Sequence, residues 1–221
     1  MEKVTKIVVM AKQVPDIRNV GKDAMTPEGT VNRAALAAIF NPEDLNALEM
    51  ALQLKDRIGT ATVHVLTMGP QRAADVIRES MFRGADGGYL LSGREFAGSD
   101  TLATSYALAC ALRKICPDIA IAYHTQGEEI YYDFCGKEPK ISKEIGEKMA
   151  NLTGYKLSKP EGMASYSGYK DWVISALGLP AFTVEAGIGK NPLPLCDFDD
   201  LYYKNRKMLL RLFTDCLQNI H

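Results

Sequence analysis

The 221-residue chain is short of the features that announce several large functional classes. No block of like charge occurs, and the formal net charge is -1, which removes the basic footprint of a nucleic-acid binder. Its five cysteines, Cys110, Cys116, Cys135, Cys196 and Cys216, are scattered, odd in number and without a Cys-x-x-Cys spacing. That argues against a disulfide framework or a thiolate metal site and suits a reducing compartment. There are three histidines and no His-x-x-Glu: Thr67 follows His64 at the third place, Gly127 follows His124, and His221 is the last residue. Neither a GxGxxG fingerprint nor a P-loop occurs. The apolar run before Lys12 is only a few residues long, too short for a signal-peptide core or a membrane span. The expectation is a cytoplasmic protein with no membrane partner.

What is present is an alternation of short apolar runs with helix-period segments, the pattern of a parallel sheet flanked by helices. Buried strands are expected at Lys6–Ala11, Ala61–Leu66, Gly88–Leu91, Asp118–Tyr123 and Ala181–Val184, with Ile130–Phe134 extended. Asn41-Pro42-Glu43-Asp44 starts a helix: Asn41 can cap, Pro42 suits the first position, and the acids favour the positive end of the dipole. Leu45, Leu48 and Leu52 form its apolar face. Further helices are expected over Gln71–Phe82, from Ser99-Asp100, from Pro139, over Ser167–Ala176 and from Asp199 or Asp200. Thr26-Pro27-Glu28-Gly29-Thr30 reads as a turn joining two strands of a small hairpin. The expected architecture is α/β, a three-layer sandwich around a mostly parallel sheet, with one merged sheet continuing through both halves of the chain.

Loops after the carboxyl ends of parallel strands are where such sheets place ligands. Met68-Gly69-Pro70 puts a glycine where backbone approaches something closely, and Gly98-Ser99-Asp100-Thr101 offers hydroxyls and N–H groups at a helix start. Taken singly, each is more often ordinary turn chemistry. Together they are specific. Lys12-Gln13-Val14-Pro15-Asp16, the Asn41–Glu49 segment, Thr67-Met68-Gly69-Pro70, Arg83-Gly84-Ala85-Asp86 and the Phe96–Ser105 segment resemble the beta subunit of electron-transfer flavoprotein, continuously over about residues 1–117. The resemblance is to the electron-bifurcating type, in which this subunit holds a second FAD where others hold AMP. It implies an adenine-nucleotide site, for AMP or FAD, using backbone at Met10 and Ala11, with Asn41, Met68, Gly69 and the helix start Ser99, Asp100, Thr101 and Thr104. In that family the next strand leads into a Gly-rich phosphate loop. Here Tyr123-His124-Thr125-Gln126-Gly127-Glu128-Glu129 stands instead, and its two acids oppose phosphate. The segment with which the family contacts its alpha subunit is largely absent, and self-association is allowed.

The remaining residues, 118–221, carry a second constellation. His124 lies just past an apolar strand, Glu185 ends another, and Tyr166-Ser167-Gly168-Tyr169-Lys170-Asp171-Trp172 lies between them. A lone histidine so placed is more often structural, whereas a carboxylate at a strand end is costly unless paired or employed. These pieces, with Asn191-Pro192-Leu193-Pro194-Leu195, resemble the C-terminal half of zinc carboxypeptidases, of the type that cuts gamma-D-glutamyl-diaminopimelate bonds. By that resemblance His124 is a zinc ligand, Glu185 the general base, Tyr166 or Tyr169 the mobile tyrosine, and Lys170 a reader of a substrate carboxylate. Catalytic zinc takes about three protein ligands, and the two supplied by the family's His-x-x-Glu are missing. Three readings follow: a nucleotide-binding remnant, a peptidase acting on cell-wall peptides, and a fusion without the full activity of either.

Overall fold

The structure is a computed structural model that describes residues 5–16, 18, 24–25, 27, 36–115, 117–160 and 168–215. The chain forms two compact units, residues 1–115 and 116–221. Tyr166, and the expected turn at 26–30 apart from Pro27, lie outside the described residues.

The first unit is built on a three-stranded parallel sheet of β1 (Lys6–Met10), β4 (Thr62–Met68) and β5 (Gly87–Leu91), with β4 in the centre. Lys6 pairs with Thr62 and Met10 with Leu66, while His64 pairs with Gly87 and Met68 with Leu91. β-Branched Val63 and Val65 are fully buried on β4, as a central strand covered by helices requires. β2 (Gln13–Pro15) and β3 (Ala38–Phe40) form a separate antiparallel pair, in register from Gln13–Phe40 to Pro15–Ala38.

Helix α1 (Pro42–Ile58) packs against β1 and β4. Its ends follow their chemistry: Pro42 in the first turn with Glu43 and Asp44, Lys55 and Arg57 in the last, then Gly59 at φ 76° returning its N–H to the Lys55 carbonyl at 2.9 Å. Two details differ from expectation. Asn41 makes no side-chain cap; Asp44 instead accepts the Lys12 N–H at 2.9 Å, because the strand–helix connection brings Lys12 over the first turn. The face most deeply buried is Leu48, Ala51 and Leu54, with Leu45 and Leu52 only partly covered at its border.

Helix α2 (Ala74–Arg83) covers β4 and β5, and α3 (Thr101–Ile115) follows β5. At Gly88 a Cβ would stand 2.7 Å from the Val65 carbonyl oxygen and 2.8 Å from Ile77, so only glycine lets strand and helix close here. Asp86 clamps the entry to β5. Its carboxylate takes Lys55 Nζ at 2.7 Å on each oxygen and the Val63 N–H at 2.8 Å.

The second unit has a four-stranded mixed sheet ordered β6 (Ala120–His124), β9 (Ala181–Glu185), β7 (Glu129–Tyr131), β8 (Lys156–Ser158). β6 and β9 are parallel, β7 is antiparallel to β9, and β8 is parallel to β7. Helix α5 (Tyr169–Leu177) sets Val173 and Ile174 against Ala120 and Ala181. Strand alternation sends Phe182 to the opposite face, where α4 (Ile141–Thr153) reaches it through Gly146. Helix α6 (Phe198–Asp215) packs on α4 with Met208 and Leu212 fully buried.

The α/β class therefore holds, with helices on both faces of the second sheet. The single sheet merged through both halves does not form: the described strands divide into sheets of three, two and four. Pairing is mostly parallel, as expected, with β7 entering antiparallel beside β9.

Two stability predictions follow from packing and charge. Phe182 is fully buried between the sheet and α4, so Phe182→Ala is expected to lower unfolding free energy by about 3–5 kcal/mol in a urea titration. Leu195→Ala, at a side chain 92% exposed, is expected to change it by less than about 0.5 kcal/mol. The Lys55 and Val63 bonds hold the Asp86 carboxyl below its ordinary value of 3.8. A depressed carboxylate stabilises the fold above the unfolded value and loses that contribution as pH falls through the folded one. Asp86→Asn is therefore expected to be destabilising at pH 7 and to converge on the parent protein in acid, read from urea midpoints across pH.

Candidate functional site

Parallel pairing brings the carboxyl ends of β1, β4 and β5 to one edge. The chain does not leave that edge at once: the Ala11 N–H donates to the Leu66 carbonyl at 3.1 Å and the Gly69 N–H to the Leu91 carbonyl at 3.0 Å. Ala11 is buried and Met10 is 37% exposed. The Asn41 N–H donates to the Lys12 carbonyl at 3.0 Å, which brings buried Asn41 beside the residues that follow β1.

Met68, Gly69, Pro70, Arg72 and Ala73 line one side of a cavity of about 150 Å³; Gln13, Val14 and Pro15 of β2, Ala38 of β3 and Leu36 just before it line the other. Gln13 Nε2 donates to the Arg72 carbonyl at 3.3 Å. A Cβ on Gly69 would stand 2.9 Å from the Ala73 Cβ, so the bare glycine is what allows the loop to close onto the following helix. Small-molecule pockets commonly hold about 300–1,000 Å³. This cavity accommodates one ring or one phosphate, with a guanidinium and an amide among its lining residues. A whole dinucleotide does not fit within it.

Of the expected nucleotide residues only Met68 and Gly69 line the cavity; Asn41 is bonded to Lys12, and Met10, Ala11, Asn41, Ser99, Asp100, Thr101 and Thr104 are not among its walls. The last four form the start of α3, where Asp100 is the cap: its Oδ1 accepts the Ala103 N–H at 2.8 Å and its carbonyl the Thr104 N–H at 3.0 Å. A carboxylate already at that helix terminus weakens it as an anion site. Gln13, Leu36, Ala38 and Arg72 were not foreseen as lining residues. Gln13 carried a readable signal, since it lies in the loop region after a parallel strand, whereas Leu36 and Ala38 reach the cavity only through the β2–β3 pairing.

The loop that replaces the family's phosphate loop is bonded within the second unit. Gly127 and Glu128 N–H groups donate to the Gly187 carbonyl at 2.7 and 3.1 Å, Gln126 Oε1 accepts the Gly189 N–H at 3.3 Å, and Asn191 Nδ2 reaches the Thr125 carbonyl at 3.0 Å. These bonds end on residues 187–191 and tie the loop to the segment that follows β9.

Register sets a polar row across the second sheet. His124 pairs with Glu185, Glu185 with Glu129, and Glu129 with Lys156, one residue from each strand and all on one face. Glu129 is held below the ordinary glutamate range, first by the Tyr131 hydroxyl and then by Ser158 Oγ at 3.2 Å and Lys156 Nζ at 3.4 Å. The same contact, with burial, pushes Tyr131 up to about 12. Burial lifts Glu185 above its ordinary 4.5; the nearby His124 opposes this and Glu129 adds to it.

Lys170 is 4% exposed, and its ammonium donates to the Asp133 carbonyl at 2.7 Å and to the Asp171 carboxylate. Tyr169 packs into the α5 core, where burial pushes its phenol up to about 12. Among the described residues, no three His, Cys, Asp or Glu side chains gather as a metal set. His124 and Glu185 alone do not fit a zinc centre, which takes about three protein ligands. The expectation of zinc at His124 gains no support.

Residues 28–131 match the family described as the electron transfer flavoprotein domain. The chain is 42% identical over 151 residues to the acryloyl-CoA reductase electron transfer subunit gamma of Anaerotignum propionicum, covering 66% of this chain and 52% of that protein. It is 44% identical over 151 residues to the electron transfer flavoprotein subunit beta of Megasphaera elsdenii, covering 64% and 53%. Protein FixA of Azotobacter vinelandii is 36% identical over 207 residues, 91% of this chain and 72% of its own length. The chain belongs to the electron transfer flavoprotein family, among its beta-subunit and FixA-type members. It spans about half the length of the first two of these relatives.

These likenesses correct the expected change of family at residue 117. The family match runs through Pro117 into β7, and the FixA likeness takes in most of both units. Nothing in them supports a chimera or a zinc-carboxypeptidase half.

The raised Glu185 carboxyl yields a signed prediction. A folded value above the unfolded one means that stability is lost as pH rises through the folded value. Glu185→Gln, neutral throughout, is expected to be more stable than the parent protein at pH 7 and indistinguishable from it below about pH 4. Urea midpoints at the two pH values read this; a gap that does not widen with pH contradicts burial as the cause.

Proposed function

We propose that this chain is a beta-type electron-transfer flavoprotein subunit whose first unit holds an adenine nucleotide at the edge where β1 and β4 end. The ligand is AMP, or the AMP portion of FAD. The observation that carries the reading is the cavity beside Gly69, at the switch from strand to helix where open α/β sheets bind ligands. Backbone at Met10 and Ala11 borders the ligand, Asn41 orients it, and Met68 and Gly69 let it approach the chain. Ser99, Asp100, Thr101 and Thr104 lie along the part of the nucleotide that extends beyond the cavity. Because that cavity takes only one ring or phosphate, the remainder of the ligand is open to solvent or to a companion subunit of alpha type.

When FAD is the occupant, its isoalloxazine supplies the capacity to take up and release electrons; the protein's share is binding and orientation. Residues 1–117 are the nucleotide-binding half in this reading. Residues 118–221 act as a structural second half without peptidase chemistry.

The test is calorimetric and fluorescence titration of the full chain with AMP and with FAD, beside Gly69→Val. The parent chain is expected to bind AMP saturably. The variant, whose side chain would meet Ala73, is expected to bind at least about tenfold more weakly while keeping its circular dichroism spectrum. Flat traces for both ligands at millimolar concentration overturn the proposal.

A further inference from the structure

By size the cavity beside Gly69 takes a ring or a phosphate, and its walls decide between them. Val14, Pro15, Leu36, Met68 and Pro70 give it apolar sides, which suit the faces of a base and leave a charged phosphate unsolvated. Pro15 and Pro70 bring no N–H, and the Gly69 and Ala73 N–H groups already donate to the Leu91 and Pro70 carbonyls at 3.0 and 2.7 Å. Arg72 is the one charged lining residue. A single guanidinium does not neutralise the roughly −1.5 to −2 charge of a phosphate monoester. The occupant that the walls favour is the base.

Gln13 brings to those walls the group that can read a base's edge. It lies on β2, is partly buried and lines the cavity with Arg72. Its Nε2 donates to the Arg72 carbonyl at 3.3 Å. A carbonyl only accepts, so this bond fixes which end of the amide is nitrogen and which is oxygen. Among the described residues none donates to Gln13 Oε1, so that atom is the acceptor left for an occupant. Adenine carries a single donor group on its edge, the exocyclic amino group, while its ring nitrogens accept. An acceptor in the cavity therefore has one partner on the base.

We infer that Gln13 selects the base of the bound nucleotide, its Oε1 accepting a hydrogen bond from the adenine amino group while the ribose and phosphate extend out of the cavity. This rests on the nucleotide reading above and adds to it the group that recognises the base. Because Nε2 is anchored on the Arg72 carbonyl, the acceptor is held in place before the ligand arrives, and less side-chain freedom is lost on binding. A purine without the amino group leaves Oε1 unpaired against the ring and binds more weakly.

Calorimetric titration of the full chain with AMP and with purine riboside monophosphate, which has hydrogen where adenine has its amino group, tests the inference in the parent and in Gln13→Met. The parent is expected to bind AMP at least about tenfold more tightly than the analogue. Gln13→Met keeps the side chain's length without its amide oxygen. It is expected to erase that preference by weakening AMP about tenfold and leaving the analogue's affinity unchanged, with circular dichroism checking its fold. If the variant unfolds, the ratio in the parent decides. Equal affinities of the parent for the two nucleotides overturn the inference and leave the nucleotide reading standing. A variant that weakens both alike also overturns it, since a residue that only shapes the cavity would do that. A parent chain that binds neither overturns the nucleotide reading and this inference together.

Discussion

Parallel strand pairing is the constraint on which the first unit depends. Once β1, β4 and β5 share one direction, every connection out of a strand must emerge at the same edge and return by a helix. The Ala11–Leu66 and Gly69–Leu91 bonds prolong that pairing by one residue beyond the strands. The loops are therefore fixed by backbone chemistry before any side chain contributes. Gly88 serves the same geometry from beneath, since the close approach of β5 to Val65 and Ile77 leaves no room for a Cβ.

Much of this was legible because it rests on local chemistry. Pro42, the two acids after it and Gly59 announce both ends of α1, and the Val63–Val65 run announces a buried strand. The parts that were not legible rest on pairings between distant segments. β8 is three residues long, too short to show a period, and exists because Glu129, Ile130 and Tyr131 offer it an edge. The reversed direction of β7 is set by its pairing with β9 and leaves no trace in composition. Part of one cavity wall comes from Leu36 and Ala38, whose place follows from the pairing of β2 with β3 and is not readable from local pattern.

The second unit shows the limit of reading motifs one at a time. His124 and Glu185 sit at the ends of apolar strands, and each alone suggests a ligand or a base. Register explains their proximity more simply: they are cross-strand neighbours in a row that continues to Glu129 and Lys156. Glu129 and Lys156 make an ordinary opposite-charge pair across the strands, whereas Glu185 and Glu129 stand side by side as like charges, in keeping with the raised Glu185 carboxyl. Zinc chemistry would ask for a third donor converging from elsewhere, and among the described residues none does. Likeness across the seam then decides the family.

The ion pair of Lys170 and Asp171 has a dynamic corollary. Both residues open α5, both are buried, and the ammonium is anchored to the carbonyl of Asp133 in the segment after β7. Unwinding the first turn of α5 alone would carry both charges away together and leave the Asp133 carbonyl without the ammonium that donates to it. Local opening of that turn is therefore tied to release of the 132–137 segment. Amide protons in both stretches should exchange with solvent as a single cooperative block, at one rate, rather than fraying from the helix end inward.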